Sequence, residues 1–342
     1  MTDAQHRWAP ASCCSPPRRE TVSAAPRAAS NGTASTTPTT PVAPDSAAKA
    51  ALVVQLAAAA SSELSMIGFS ADEFRMGSVD PQAYPEDGEG PVRSVRVEAF
   101  AISSTTVTVA QFAQFVQATG HLTDAERHGD ALVFQGLLAR ELRDAAPAPE
   151  PSTPWWRQVR GAAWFAPEGP GSTAAGREDH PVTQVSRRDA QAYASWVGAR
   201  LPSETEWEYA ARGGLDQQPY PWGADRDPGG QRRMNIFPGE FPEGLVGEIG
   251  TRPAESFAPN GYGLFNTTGN VWEWTASGFT RADGSASGSS RSGAYPVMRG
   301  GSYMCHRSYC RRYRTSARTS ASADTSLGHT GFRLAFTPAR PG

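Results

Sequence analysis

Glycine and proline restrict most strongly what this chain can fold into. Thirty-four glycines and 28 prolines among 342 residues, about 18% of the chain, predict closely spaced turns and few long helices. Nine tryptophans in a chain of modest apolar content point to a core built from large rings. Regular elements should therefore be short. Val92 to Ile102 alternates and predicts one strand, while Phe112, Phe115 and Val116 mark a short amphipathic helix over Val109 to Ala118. Ala190, Tyr193, Ala194 and Val197 recur at helical spacing over Arg187 to Gly198, with Ser186 as N-cap and Asp189 three residues on. Ser203 caps the next helix, and Glu206 completes a capping box. No internal repeat is present, and the pattern is that of one α+β domain over residues 61–342.

The first sixty residues differ. Pro10 to Pro44 is rich in Ala, Ser, Thr and Pro and has too few large apolar groups to offset chain entropy, which predicts a disordered tail over residues 1–60. Cys13 and Cys14 lie inside it, where two ligands without fixed geometry make a poor metal site. The apolar run Ala50 to Ala60 starts too late for a secretory signal and is too short to span a membrane, so a short helix is expected there. Without an export signal or a disulfide framework, the expectation is a cytoplasmic protein with no membrane partner. A net charge of −2 gives no global basic field for nucleic acid. Thirty-one arginines accompany a single lysine, Lys49, which removes Schiff-base chemistry from the folded region. No extended hydrophobic seam is evident, and a monomer is expected.

Two cysteines remain, in Arg299-Gly-Gly-Ser-Tyr-Met-Cys-His-Arg-Ser-Tyr-Cys-Arg-Arg-Tyr-Arg314. Cys305 and Cys310 stand among Arg299, Arg307, Arg311, Arg312, Arg314 and Arg318, with no acid between Gly284 and Ala323. Positive charge nearby favours thiolate over thiol, and paired thiolates suit Cu(I) better than a hard cation. Inert buried thiols or a local disulfide are commoner fates for such a pair. Zinc would need two more ligands; His306 and His329 are near in sequence, without a second Cys-x-x-Cys or a His-x-x-x-His. Spacing alone leaves these fates open.

The surrounding motifs narrow them. Asn260-Gly-Tyr-Gly-Leu-Phe-Asn-Thr-Thr-Gly-Asn-Val-Trp-Glu-Trp-Thr275, the cysteine run and Leu327-Gly-His-Thr-Gly-Phe-Arg-Leu-Ala335 together resemble the formylglycine-generating enzymes, the sulfatase-modifying factor family. Arg200-Leu-Pro-Ser-Glu-Thr-Glu-Trp-Glu-Tyr-Ala-Ala-Arg212, Asn235-Ile-Phe-Pro-Gly-Glu-Phe-Pro242 and Gly120-His-Leu-Thr-Asp-Ala-Glu-Arg127 are similar to further stretches of it. The resemblance covers about residues 64–336, and Cys-His-Arg-Ser-Tyr-Cys is its most specific part. It implies the sulfatase-modifying fold, related to C-type lectin-like architecture.

The resemblance also implies a chemistry: O2 and a reductant convert the cysteine of a Cys-x-Pro-x-Arg segment, in unfolded or nascent sulfatase polypeptides, to Cα-formylglycine. Cys305 and Cys310 would hold Cu(I), with the client thiol joining near Cys310. Ser302 and Trp272 would shape the oxygen pocket, Asp130 would receive the client arginine, and an aromatic-lined groove its proline. Asn266, Gly269, Val271 and Glu273 match calcium-binding positions through a side-chain amide, two carbonyls and a carboxylate, the oxygen-only donor set that calcium takes. A second calcium would use Asn235 and Ile236 plus an acid from the next loop, but Glu243-Gly-Leu-Val-Gly-Glu-Ile-Gly250 lacks the family's aspartate. Two other classes compete. An iron-dependent sulfoxide synthase of the superfamily would need a helical three-histidine domain. A non-catalytic binding module would be marked by loss of Cys305 and Cys310.

Overall fold

Hydroxyl caps set where the helices begin. In the computed structural model, which describes residues 46–60, 64–280 and 295–338, the α-helices are α1 (Ser46–Ala58), α2 (Val109–Thr119), α3 (Asp124–His128), α4 (Arg140–Ala145), α5 (Arg187–Trp196) and α6 (Glu204–Ala211). Complete capping boxes open four of them: Thr108 with Gln111, Thr123 with Glu126, Ser186 with Asp189 and Ser203 with Glu206. Each box satisfies two backbone donors that a helix start would otherwise leave unpaired. The expected α5 and α6 caps are both present.

The expected strand over Val92 to Ile102 is two strands in two sheets. The strands in chain order are β1 (Met66–Phe69), β2 (Asp72–Met76), β3 (Arg93–Val97), β4 (Phe100–Ser103), β5 (Asp130–Phe134), β6 (Trp156–Arg160), β7 (Gly239–Glu240) and β8 (Gly244–Leu245). They continue with β9 (Trp272–Gly278), β10 (Pro296–Arg299), β11 (Arg318–Ser320), β12 (Thr330–Gly331) and β13 (Ala335–Phe336). β3 pairs with β2, whereas β4 sits between β1 and β13. The inward positions are Val95 and Val97 before the break but Phe100 and Ile102 after it, so the alternation slips by one residue at Glu98-Ala99, and that slip was the available sign of the change of partner. The largest sheet has the order β11-β10-β9-β12, with β12 parallel to β9, and β5 and β6 form a separate ribbon.

α1 packs on α2 with Val53, Leu56 and Ala57 buried. The Lys49 ammonium pairs with the Glu126 carboxylate and lies 5.1 Å from the Phe165 ring centroid. The packed unit therefore includes the helix from Ser46, ahead of the expected boundary at residue 61, and takes in the chain's one lysine. The expected disorder of Pro10 to Pro44 and the pair Cys13-Cys14 lie outside the described residues. No helix among the described residues is long and apolar enough to cross a membrane.

Rings fill the core as expected, with Trp164, Trp207, Trp272 and Trp274 fully buried. The less expected component is charge. Arg299 bonds Glu204 at 3.1 Å and also Glu208, Arg212 bonds Glu208 at 2.7 Å, and Arg318 grips Glu204 at 2.7 and 2.8 Å. Arg314 holds Glu89 at 2.6 and 2.7 Å, Arg312 holds Asp87 at 2.5 and 3.1 Å, and Arg333 holds Glu273 at 2.6 and 2.8 Å. These partners are buried. Removing one member of such a pair leaves an uncompensated internal charge.

Glu208 is a sharp test of this lattice. Burial alone would raise its pKa, but Arg299, Arg212 and the Gly77 amide hold it below the ordinary 4.5. Stability drawn from its ionisation is present above the unfolded value and is lost as pH falls through the lower folded value. Glu208→Ala is expected to cost about 3–5 kcal/mol near neutral pH, read as a lower urea midpoint at unchanged slope. The wild-type advantage over the variant should shrink as the pH is lowered through the folded Glu208 pKa.

Candidate active site

Two glycines after β10 let the thiol-bearing loop close on itself. At Gly301, φ is +75°, and a Cβ would stand 2.6 Å from the Arg312 carbonyl oxygen; an L side chain there meets both strain and a clash. Beyond it the Ser302 carbonyl accepts from the Cys305 amide at 2.9 Å. The His306 carbonyl accepts from the amides of both Tyr309 and Cys310, at 3.0 and 2.7 Å. This turn carries Cys310 back onto Cys305. The Sγ atoms are 3.3 Å apart, neither is in a disulfide, and each cysteine is 1% exposed. A disulfide would put the sulfurs at about 2.05 Å. The pair is reduced and poised side by side.

Ser302 belongs to the same turn, with its amide 3.4 Å from Cys305 Sγ and its hydroxyl accepting from the Met304 amide at 3.3 Å. Trp272 opens β9 in the same core cluster as the cysteines, and its buried indole N–H has no hydrogen-bond partner. The two loops are stitched together by Gly269 N–H to Gly300 C=O at 2.8 Å and Tyr303 N–H to Asn270 C=O at 2.9 Å.

The electrostatics correct the simple reading of the arginine run. Arg299, Arg312, Arg314 and Arg318 are paired with buried carboxylates, so the thiols do not lie in an unbalanced positive field. One guanidinium still faces them: Arg312 Nη1 is 4.0 Å from Cys310 Sγ. Asp87 holds Arg312 from one side, and the Tyr84 ring centroid lies 4.2 Å from its guanidinium carbon. Burial pushes the Asp87 carboxyl up to about 6 against the pull of Arg312. Burial also raises the phenols of Tyr84 and Tyr313 beside the sulfurs, so both rings are neutral at physiological pH. Asp87 and Tyr84 were missed in the sequence; the acid cluster in Pro85-Glu-Asp-Gly-Glu-Gly90 was the available signal for a partner to the arginines.

An aromatic wall adjoins the thiol turn. Tyr309 stacks on Phe241 at 4.2 Å with an interplanar angle of 1°, and Trp155 meets both rings edge-on at 4.6 and 5.2 Å. Phe134 and Phe237 back Phe241 at 6.3 and 5.1 Å. Phe134 ends β5 and Asp130 begins it. Residues of one parity share a face of a strand, so the buried Asp130 lies on the Phe134 face, roughly 13 Å along.

The expected calcium loop offers a mixed donor set. Asn266, at φ +50°, gives its amide N–H groups to the Pro253 and Ala254 carbonyls, while its buried Oδ1 has no partner. That orphaned oxygen fits a cation. Glu273 accepts from Arg333 and, at 2.6 Å, from the Trp207 indole, which uses three of its roughly four lone-pair positions. The second expected pair fits poorly. The Asn235 amide donates to the Gly250 carbonyl and Asn270 Oδ1, and the Ile236 carbonyl accepts from the Arg232 guanidinium. A fixed positive charge stands against that carbonyl. No cluster of three or more His, Cys, Asp or Glu able to hold a metal occurs among the described residues.

Comparison with known proteins identifies the family. Residues 54–338 match the sulfatase-modifying factor enzyme 1-like domain. The formylglycine-generating enzyme of Thermomonospora curvata is 51% identical, over 80% of this chain and 93% of that protein. An inactive C-alpha-formylglycine-generating enzyme 2 from Bos taurus is 40% identical, over 81% of this chain and 90% of that protein. Among solved structures, PvdO from Pseudomonas aeruginosa aligns with a TM-score of 0.55 at 25% identity, over 79% and 93% of the two chains. With a domain match spanning most of its length, a half-identical relative and the expected cysteine turn in place, this chain belongs to the sulfatase-modifying factor family.

Proposed function

We propose that this protein converts the cysteine of a Cys-x-Pro-x-Arg segment in sulfatase polypeptides to Cα-formylglycine. The observation that carries the reading is the reduced pair Cys305 and Cys310, 3.3 Å apart at the foot of an aromatic wall. Family membership alone does not separate active from inactive relatives; the paired thiols favour activity. The balanced reaction takes one client cysteine side chain (a methylene bearing a thiol), one O2, two electrons and two protons to one aldehyde, one hydrogen sulfide and one water. A thiol reductant is the class of electron donor that this balance calls for.

Two soft sulfur donors, with no third His, Cys, Asp or Glu ligand beside them among the described residues, suit Cu(I), which would supply the O2 chemistry when bound. The chain's own residues bind and orient. Half-buried Phe241 and Tyr309 would receive the client proline, and Asp130 would take its arginine by a charge-assisted hydrogen bond. Ser302 keeps its amide against Cys305 Sγ, and Trp272 keeps an open indole N–H in the enclosed core. Arg312 sets a guanidinium 4.0 Å from Cys310 Sγ. Calcium would bind through Asn266 Oδ1, the Gly269 and Val271 carbonyls and Glu273. A second calcium at Asn235 and Ile236 is not part of this reading.

Mass spectrometry of a Cys-x-Pro-x-Arg peptide incubated with Cu(I)-loaded protein, O2 and a thiol tests the reaction. The expected product has exchanged sulfur for oxygen and lost two hydrogens. Cys305→Ser and Cys310→Ser should each abolish that product and lose stoichiometric Cu(I) in a chelator competition. An unchanged peptide with copper bound would leave a binding module. Asp130→Asn should raise KM roughly 10- to 100-fold, because a hydrogen bond to a charged group contributes about 1.5–3 kcal/mol. A control peptide lacking the arginine should show no such rise. Calcium at about 100 times its dissociation constant should add about 2.7 kcal/mol of stability, seen as a higher Tm, and Asn266→Ala should remove that increment.

A further inference from the structure

A cleft of about 510 Å³ opens beside the thiol turn, lined in part by Arg226, Asp227, Arg232, Ile236, His306 and Arg307. It is joined to the site covalently and by packing. The Phe237 amide donates to the Cys305 carbonyl at 3.0 Å, and the Phe237 ring, also lining the cleft, meets Phe241 of the aromatic wall at 5.1 Å. The cleft and the aromatic wall therefore share Phe237.

Its charges do not cancel. Arg226 bonds Asp227 at 2.6 Å, which neutralises both. Arg232 is different: Nε and Nη2 are spent on the Met234 and Ile236 carbonyls, and among the described residues Nη1 bonds no protein group and no carboxylate lies within ion-pair distance, Asp227 acting on it only through space. Arg307 is 69% exposed and stands 4.0 Å from the exposed Glu240. His306 is held by Ser308 at 2.7 Å. The cleft thus presents two solvent-facing guanidinium groups, one fixed by backbone carbonyls and one exposed at the rim. A guanidinium fork matches a carboxylate.

We infer that this cleft recognises an acidic side chain of the client polypeptide, outside the Cys-x-Pro-x-Arg motif and flanking it in sequence. The inference deepens the function proposed above and rests on it. Arg232 provides the anchored contact, and Arg307 draws the acidic segment in from solvent, an electrostatic contribution that added salt screens.

The test uses the full chain and peptides containing Cys-x-Pro-x-Arg, with Glu, Gln or Lys placed either before the cysteine or after the arginine. The readout is the Glu-to-Lys ratio of kcat/KM within each enzyme, which cancels general damage to folding or chemistry. One of the two placements should favour Glu by roughly 3- to 10-fold at low salt, with the preference falling as salt rises. Arg232→Gln should bring the ratio toward one, and the surface change Arg307→Glu should reverse it. A wild-type ratio of one at both placements, or an unchanged ratio in Arg307→Glu, overturns the inference. Inhibition by free glutarate of Gln and Glu peptides alike would also overturn it, assigning the cleft to small anions instead. If no peptide is converted at all, the function reading fails; fluorescence anisotropy of Glu against Lys peptides then still decides whether the cleft selects acid.

Discussion

Arginine buried against carboxylate is the interaction on which the rest of this structure depends. The C-terminal run from Arg299 to Arg333 is mostly irregular beyond the end of β10, with only the short β11 and β12 joining the sheet, yet its arginines reach three distant parts of the chain. Arg312 and Arg314 clasp Asp87 and Glu89, Arg299 and Arg318 clasp Glu204 on α6, and Arg333 clasps Glu273 on β9. Such pairs contribute little net stability compared with apolar packing, but breaking one is costly because the surviving charge has no water to return to. Their consequence is geometric. Loops that could slide by a residue are held in one register.

That register makes the thiol turn possible. Gly301 approaches the Arg312 backbone too closely for any side chain, and Arg312 can be there only while Asp87 neutralises it. The same guanidinium comes within 4.0 Å of Cys310 Sγ, so the element that closes the loop also borders the reactive pair. Buried charge and buried thiols are parts of one construction. The aromatic wall is attached to it at Tyr309, one residue before Cys310, which couples the surface proposed to hold the client to the position of the sulfurs.

Helix starts were legible because a capping box is local: Ser186 with Asp189 and Ser203 with Glu206 involve residues three apart. The cysteine turn was legible as a motif but not as a geometry. The arginine run was readable, yet its meaning was not, because its acids stand between 91 and 225 positions away in sequence. The strand over Val92 to Ile102 failed for a related reason. A one-residue slip of phase at Glu98-Ala99 marks a break, but the switch from β2 to β1 and β13 as partners is a property of three other segments. Lys49, expected in a tail, is tied down by Glu126 and Phe165, neither of which is near it in the chain.

Sequence by itself determined the family, the α+β character, the helix caps and the identity of the two thiols, because each is written in residues within a few positions of one another. Tertiary structure decided which charges survive. It cancelled most of the arginine run, left Arg232 and Arg307 in a cleft next to the thiol turn, set a guanidinium against the Ile236 carbonyl of the doubtful second calcium site, and left Asn266 Oδ1 without a partner. Charge acts through space and desolvation, and both depend on neighbours that only the folded chain brings together.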